Sequence, residues 1–402
     1  MPNTENINQK PSLKVIIIFY AVLFILLLIF AELFLSIFDR EEIMVRADDP
    51  KMVYSLMPGK SGIAATPEYR VNVSIDSNGM RNCSEPQGSK KKNLLILGDS
   101  FAEGWGVECE NSFPGILSKK LPDFQIWNAG AHGGTLSFYI LRNRFYTKLI
   151  KPDHILLQIF DNDLDDLDKI HPLIIFHKNG EVAKANPKGL LFVPAGTISS
   201  SIKNLALFRY GKRFTSRIKG IPSPIKYYKI GKEPRDIILT HDQAIEKFGK
   251  LESIKNISEK YNGQFEFYKY NESNMPEVWK SRMQRFELYL NQFYREAKLS
   301  NPDIKMAILY IPAKEVFASG GITGDDINSS GKPVKPDRKT ITSHNAFYRI
   351  LKNFTEKNKI EFIDGINIYY ENTEHLYFPG DAHLNSAGHS VTANAVIRWL
   401  DL

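Results

Sequence analysis

The stretch Leu94-Leu95-Ile96-Leu97-Gly98-Asp99-Ser100-Phe101-Ala102-Glu103 determines how the rest of the chain is interpreted. Its apolar run follows a lysine cluster and ends at a glycine, which is typical of a buried parallel strand. The residues after Ser100 are compatible with a helix, so this serine falls on a strand-to-helix turn. Open α/β sheets bind ligands at the carboxyl ends of their strands, where a nucleophile would be useful. Taken alone, however, a serine at a helix start is usually a cap.

Three further stretches follow in order, and each comes where a strand should end. They are Asn128-Ala129-Gly130-Ala131-His132-Gly133, Phe160-Asp161-Asn162-Asp163 and Gly380-Asp381-Ala382-His383-Leu384-Asn385. The ordered set resembles the SGNH (GDSL-type) hydrolase superfamily from about Asp76 to the C-terminus, with one long insertion. Asp76-Ser77-Asn78-Gly79-Met80-Arg81 resembles a turn found in its membrane-anchored branch. The resemblance implies an α/β, three-layer flavodoxin-like fold with a mostly parallel five-stranded sheet.

The four stretches would support acyl transfer, which needs a nucleophile, a base and donors for the oxyanion. Ser100 would be the nucleophile, His383 the base, and Asp381 the group that orients the imidazole. The oxyanion donors would be the backbone amides of Ser100 and Gly133 and the side-chain amide of Asn162. Loss of one such donor typically lowers turnover on the order of 100- to 1000-fold.

Two departures from the family pattern affect these assignments. Asp381 lies two positions before His383, whereas the common motif has a spacing of three. Phe160 stands where many members have a glycine, which would reshape the pocket while leaving the asparagine in place. His389 and His375 are alternative bases, although His389 is expected to pack or cap within the final helix.

Other chemistries lack their motifs. The sequence has no Walker loop, no His-Glu-x-x-His helix and no four-cysteine set, so we predict no cofactor and no metal. The residues around Ser100 do not form the Gly-x-Ser-x-Gly elbow of α/β-hydrolases. Cys83 and Cys109 are the only cysteines. They either pair, if the domain lies outside the cytoplasm, or remain two buried thiols.

A long apolar run near the amino terminus predicts a membrane anchor. Residues 15–38 are almost entirely apolar, and 24 residues suffice to cross a ~30 Å hydrocarbon core. A cleaved signal peptide would have a shorter run ending in small residues. We therefore predict a single-pass protein with residues 1–14 cytoplasmic and the remainder exported, although lysine and arginine counts favour this orientation only slightly.

The remaining chain is expected to form a β-rich lead-in over residues 39–92 and a hydrolase domain over 93–402, with a basic insertion at about 165–273. Composition is ordinary for a globular protein, with 43% apolar and 24% charged residues. Within 203–235, ten basic residues and one acid are interleaved with aromatics. Single-stranded nucleic acid could bind such a segment, but an exported enzyme argues against it. A solvated basic face and contact with anionic lipid or an acidic polymer both stay open.

Alternating apolar runs and amphipathic segments predict the elements of the sheet and its covering helices. The expected strands are Leu94–Leu97, Phe124–Asn128, His154–Phe160, Lys305–Ile311 and Ile360–Ile363. The expected helices lie near Ser112–Lys120, Thr135–Leu149, Pro276–Lys298, Ser343–Lys357 and Ser386–Leu400.

The leading functional hypothesis is a membrane-anchored serine esterase that hydrolyses acyl or acetyl esters on an envelope glycan or lipid. An O-acyltransferase would use the same serine and histidine. Two hypotheses of a different class stay open: a non-catalytic envelope protein that retains the fold, and an unrelated α/β domain in which the serine is only a cap. The sequence does not decide the ester or the oligomeric state.

Overall fold

A computed structural model describes residues 12–38, 46–83, 92–186, 238–248, 266–270, 273–318 and 335–401. The basic stretch 203–235 lies outside these residues. The chain divides into two compact units, and the first helix, α1 (Leu13–Phe38), belongs to a different unit from every other element given below. By length and composition α1 could cross a membrane over Leu13–Leu35, with a mean hydropathy of 3.0. A signal sequence would meet the same criteria.

The second unit contains all the described strands. In chain order they are β1 (Arg46–Asp49), β2 (Val53–Leu56), β3 (Ser61–Ala65), β4 (Arg70–Ser74), β5 (Lys92–Leu97), β6 (Phe124–Asn128), β7 (His154–Phe160), β8 (Ile174–Phe176), β9 (Val182–Ala185), β10 (Lys305–Ile311) and β11 (Glu361–Asp364).

The same unit contains the remaining described helices. They are α2 (Ser100–Glu103), α3 (Phe113–Lys120), α4 (Leu136–Ile150), α5 (Asn162–Ile170), α6 (His241–Phe248), α7 (Glu277–Ser300), α8 (Arg338–His344), α9 (Ala346–Asn358), α10 (Gly365–Tyr369), α11 (Thr373–Leu376) and α12 (Ser386–Leu400).

The central sheet has five parallel strands in the order β11-β10-β7-β5-β6. This is the flavodoxin-like order, and it confirms the predicted fold class. Every residue of β7 is buried, as expected for a central strand covered on both faces. The order reverses between β5 and β7. In doubly wound sheets such a switch point opens a crevice at the carboxyl ends of the strands.

Two groups of helices flank the sheet. In one group, α4 packs against α5 and α7, and α7 also contacts α9. In the other, α12 packs against α3, α10 and α11. The amphipathic helix α7 buries aromatic and aliphatic side chains, among them Phe286, Leu290 and Phe293, which follow one another at helical spacing.

The predicted elements agree closely with those observed, with one correction. Strands β6, β7 and β10 and helix α12 have the predicted bounds. The helix predicted near Ser343–Lys357 is present as α9, but it begins only at Ala346, and a separate short helix, α8, ends at His344. Between them, the Asn345 side chain accepts the Tyr348 amide at 2.8 Å and caps the second helix.

The segment that precedes β5 forms two antiparallel hairpins, β1–β2 and β3–β4. Its end is fixed by the Cys83–Cys109 disulfide, whose Cα atoms lie 5.4 Å apart. Of the two states that the sequence left open for these cysteines, the structure has the paired one.

Candidate active site

The turn after β5 is shaped by a close approach from β7. A Cβ atom on Gly98 would lie 2.3 Å from Oε1 of Gln158, so this position admits only glycine. That oxygen accepts hydrogen bonds from the amides of Asp99 (3.0 Å) and Ala102 (3.3 Å). Gln158 therefore fixes the start of α2 against the neighbouring strand.

The cap of α2 is Asp99 rather than Ser100. The Asp99 carboxylate accepts the Phe101 amide at 2.9 Å. This leaves the Ser100 hydroxyl available for a contact outside its own helix. Burial raises the pKa of Asp99 to about 7, against the lowering effects of the Phe101 amide and the charge on His383.

Residues from opposite ends of the domain meet at Ser100. Its Oγ lies 2.7 Å from Nε2 of His383, and Nδ1 of His383 lies 2.5 Å from Oδ1 of Asp381. That carboxylate oxygen also accepts the His383 backbone amide at 3.0 Å. Ser100 is 8% exposed and the His383 side chain 19% exposed, so the group opens to solvent at the imidazole.

The spacing of two between Asp381 and His383 is compatible with this contact. The aspartate binds both the backbone amide and the ring of the same histidine, which closes a compact local turn. The departure from the common spacing of three therefore does not separate the two side chains.

The charges around the imidazole favour its protonated form. Burial lowers the pKa of His383, but the charge and hydrogen bond of Asp381, with the charges of Asp99 and Glu103, outweigh it and hold the pKa above its ordinary value.

Two of the predicted oxyanion donors are free backbone amides. Among the described residues, neither the amide of Ser100 nor that of Gly133 has a hydrogen-bond acceptor. The first belongs to the opening turn of α2, where amides lack intrahelical partners. Gly133 has φ +72°, which glycine adopts without the strain that a side chain would bring.

Asn162, the third predicted donor, begins α5 directly beyond β7 and is half-buried. Its Oδ1 has no hydrogen-bond partner among the described residues. The residues on either side are firmly held. Asp161 accepts bonds from the Tyr310 hydroxyl and the Ala313 amide, both at 2.7 Å. Asp163 accepts the Phe160 amide at 2.9 Å. The backbone on both sides of Asn162 is thus fixed.

The loop that carries Gly133 is tied to α2 by a buried ion pair. Oε2 of Glu103 accepts both the backbone amide and Nδ1 of His132, each at 2.7 Å. His132 and Arg81 hold the pKa of Glu103 at about 2, although burial alone would raise it. Helix α2 and the loop of Gly133 are therefore held in one arrangement.

The alternative bases occupy other surroundings. His389 is buried in α12, where Nδ1 accepts the Phe113 amide at 3.3 Å. Burial lowers its pKa to about 3, so it stays neutral. His375 is exposed, with its ring 5.4 Å from that of His241. Phe160 is buried and packs on Phe101 of α2, at 4.3 Å between ring centroids.

Sequence reasoning missed the residues that hold the loop bearing Asp381 and His383. The ammonium group of Lys314 donates to the carbonyl oxygens of Phe378 (2.7 Å), Pro379 (2.9 Å) and Asp381 (2.8 Å). Lys314 is 4% exposed, which is unusual for a lysine. No local pattern marks this role, because a lysine just beyond a strand is ordinarily a surface residue.

Replacement of Lys314 with methionine should lower the free energy of unfolding by about 2–4 kcal/mol, because three carbonyls lose their donor. The matched control is Lys298→Met. Lys298 also donates to two carbonyls, those of Pro302 and Ile304, but it is half-exposed and water can replace it. Urea unfolding of both variants measures the difference. Equal destabilisation by the two changes would show that the loop does not depend on Lys314.

Within the described ranges, no group of three or more histidine, cysteine or acidic side chains is arranged to hold a metal ion. The described contacts join a hydroxyl, an imidazole and a carboxylate, and backbone amides with no acceptor among the described residues lie at the start of α2 and at Gly133. Such a set can carry out nucleophilic acyl transfer without a bound cofactor.

No family model and no curated relative matches the chain. Solved structures similar to it include a member of the lipolytic G-D-S-L family from Veillonella parvula, at 11% identity and a TM-score of 0.35, over 76% of this chain and 97% of that one. A psychrotrophic esterase from Pseudoalteromonas has 10% identity and a TM-score of 0.35, over 78% and 100%. A variant of an acetyl-xylooligosaccharide esterase from Geobacillus has 14% identity and a TM-score of 0.37, over 79% and 97%. Likeness at this level says nothing about a substrate.

Proposed function

We propose that this protein is a serine esterase that hydrolyses carboxylic esters through an acyl-enzyme. The observation that carries the proposal is the contact of Ser100 Oγ with Nε2 of His383, whose other nitrogen faces Asp381. A hydroxyl, an imidazole and a carboxylate in this order are the requirements for an activated serine nucleophile.

In the first half of the reaction, Ser100 Oγ attacks the ester carbonyl carbon while Nε2 of His383 takes its proton. The carbonyl oxygen becomes an anion in front of the amides of Ser100, Gly133 and Asn162. When the carbon–oxygen bond to the alcohol breaks, His383 gives its proton to the leaving alkoxide. Asp381 stabilises the imidazolium that exists between these two transfers.

In the second half, water attacks the acyl-serine. His383 accepts a proton from the water, a second tetrahedral anion forms, and the carboxylic acid leaves as Ser100 recovers its hydrogen. No oxidant, metal or further group is needed for the balance of atoms and charge.

We assign the substrate to the cell envelope, as an acylated glycan or lipid. One support is the apolar helix α1, which by length and composition could hold the enzyme at a membrane. The Cys83–Cys109 disulfide is consistent with an oxidising compartment, where such bonds persist.

The experiment that tests the function uses the full chain in detergent. A fluorophosphonate probe should label the wild type covalently and leave Ser100→Ala unlabelled, and a chromogenic acetyl ester should be hydrolysed only by the wild type. Failure of the folded wild type to react with either reagent would favour a non-catalytic envelope protein. Labelled acetyl donor supplied with an acceptor glycan then separates hydrolysis from transfer, because acetate appears either free or on sugar.

The value of kcat/KM should fall as the pH is lowered, and this fall is called the acid limb. Its midpoint should lie above the ordinary histidine pKa of about 6.5. His383 must be neutral to accept the Ser100 proton, and its neighbours hold its pKa above that value. Activity is therefore present on the alkaline side and is lost as pH falls through the raised pKa. Initial rates between pH 5 and 9 measure the limb.

Asp99 titrates in the same range, since its pKa is about 7, so it needs a control. Asp99→Asn keeps a capping side chain and removes the charge. The acid limb should persist in this variant, at slightly lower pH because one negative charge near the imidazole is lost. Disappearance of the limb would assign it to Asp99 instead of His383.

A further inference from the structure

Residues 46–83 are the described part of the predicted lead-in and are called the lead-in from here on. Two tyrosine hydroxyls of this segment contact two loops of the proposed active site. These are its only two tyrosines. Tyr54 lies in the first hairpin, on β2, and Tyr69 immediately precedes β4 in the second. Both are buried.

Tyr69 contacts the carboxylate behind the imidazole. Its hydroxyl donates to Oδ2 of Asp381 at 3.1 Å, on the side away from the oxygen that faces His383. Its ring packs on Phe378 of the same loop, at 5.0 Å between centroids. The preceding residue, Glu68, accepts the Gly380 amide at 2.9 Å. The second hairpin thus holds both the backbone of the loop and the orientation of its carboxylate.

Tyr54 contacts the glycine loop. Its hydroxyl donates to the carbonyl oxygen of His132 at 3.0 Å, and that carbonyl belongs to the peptide whose N–H is the amide of Gly133. Its ring stacks on Phe138 at 4.3 Å. A hydrogen bond to the carbonyl of a peptide fixes the direction of the N–H at its other end, because the peptide group is planar.

The lead-in is itself firmly joined to the nucleophile region. The buried guanidinium of Arg81 donates to the carbonyls of Glu103 (3.2 Å) and Val107 (2.6 Å), at and beyond the end of α2. The disulfide of Cys83 with Cys109 adds a covalent link a few residues further on. The two tyrosines are therefore presented from a fixed support.

We infer that the lead-in is a component of the active site, in which Tyr69 is a positioning residue for Asp381 and Tyr54 is a positioning residue for the Gly133 amide. The inference rests on the proposed function. Residues 46–83 then contribute side chains that orient the proposed catalytic groups.

The two tyrosines act on different steps, and kinetics can separate them. Without the Tyr69 hydroxyl, more of the negative charge of Asp381 faces the imidazole, so the imidazolium is stabilised and the acid limb moves to higher pH. Among the described residues, the charged and titratable groups that act on Asp381 and His383 include Asp99, Glu103, Glu68, Tyr69, His389 and Lys314. Tyr69→Phe leaves all the others in place.

The test compares Tyr69→Phe and Tyr54→Phe with the wild type, as full chains, in ester hydrolysis between pH 5 and 9. We expect Tyr69→Phe to lower kcat about tenfold, as for loss of a hydrogen bond to a charged group. KM should stay within about twofold, and the acid limb should rise by roughly half a pH unit. Tyr54→Phe should lower kcat by roughly three- to tenfold at constant KM. Its acid limb should coincide with that of the wild type.

The matched control is Tyr369→Phe. Tyr369 is equally buried, and its hydroxyl lies 2.7 Å from Oγ1 of Thr392, between α10 and α12 and outside the proposed site. This variant should lose stability in thermal unfolding while kcat and the acid limb stay unchanged. It therefore reports what the loss of a buried tyrosine hydroxyl does by itself.

Two results would overturn the inference. In the first, Tyr69→Phe and Tyr54→Phe retain kcat within twofold of the wild type. In the second, both variants lose activity only in proportion to the fraction of protein that is no longer folded. In that case the acid limb of Tyr69→Phe also coincides with that of the wild type. Both results require a wild type whose turnover depends on Ser100. A wild type without such turnover overturns the proposed function itself, so the two failures are distinguishable.

Discussion

If the proposed function holds, Ser100→Ala is expected to reduce ester hydrolysis by about ten thousand- to a millionfold, the loss that removal of the nucleophile produces in serine hydrolases. The bond between the serine and the acyl carbon cannot form without the hydroxyl. The protein should remain folded, because the cap of α2 is Asp99 and alanine favours a helix more than serine does. Initial rates with an acetyl ester and thermal unfolding measure the two effects.

The matched control for this change is Ser112→Ala. Ser112 is a true helix cap, since its hydroxyl accepts the Gly115 amide at 3.2 Å at the start of α3. Its removal should cost about 1 kcal/mol of stability and leave turnover intact. Opposite effects in the two variants would separate a nucleophile from a cap. A Ser100→Ala enzyme with more than about one per cent of wild-type turnover would contradict the assignment.

His383→Ala should cause a loss of similar size, and the double variant with Ser100→Ala should be no worse than either single variant. Residues of one catalytic unit act together, so once one of them is removed, removal of the other lowers turnover no further. Multiplied losses in the double variant would show that the two residues act independently, which the 2.7 Å contact between them argues against.

The five strands of the central sheet were predictable because their sequences carry a local signal. In β5, β7 and β10, apolar and branched residues run continuously, as a parallel sheet covered on both faces requires. Once these strands are assigned, the residues after them must share one edge of the sheet. This places Ser100 and Asn162 at one edge, but His383 follows α11 rather than a strand. Its contact with Ser100, 283 positions away, comes from the tertiary packing of its loop.

The helix α5 was not predicted because its sequence carries a dense acidic run, which disfavours an isolated helix. The structure offsets those charges from another part of the chain. Arg282 on α7 lies 3.0 Å from Asp165, and Arg285 lies 2.6 Å from Asp168. The sequence around α5 does not indicate these arginine partners, because they reach the acidic residues only when α7 packs against α5.

The positioning residues were missed for the same reason. Tyr69 and Asp381 are 312 positions apart, and nothing in the sequence around either tyrosine of the lead-in distinguishes it from a core aromatic. The residues of the candidate site can be found from their short motifs, and Ser100 and Asn162 also come directly after strands of the central sheet. The residues that orient them are recognised only by their tertiary contacts, which have no local pattern in the sequence.

Asn162→Ala is expected to lower kcat by about 100- to 1000-fold with little change in KM. The amide would meet an oxyanion that exists only after Ser100 has attacked, so its loss raises the barrier and leaves binding of the ester almost unchanged. The same variant should be as stable as the wild type or slightly more stable. Oδ1 of Asn162 lacks a partner among the described residues, and a buried polar atom without one costs stability.

The control for Asn162 is Asn345→Ala, which removes the side chain that caps α9 and should lower stability by about 1 kcal/mol without affecting kcat. A catalytic donor at Asn162 predicts that Asn162→Ala loses activity and keeps its stability. Asn345→Ala should lose stability and keep its activity. A rise in KM at constant kcat would instead place Asn162 in ground-state binding of the ester. Retention of kcat within about threefold would remove it from the oxyanion site, and the free amides of Ser100 and Gly133 would then have to stabilise the anion without it.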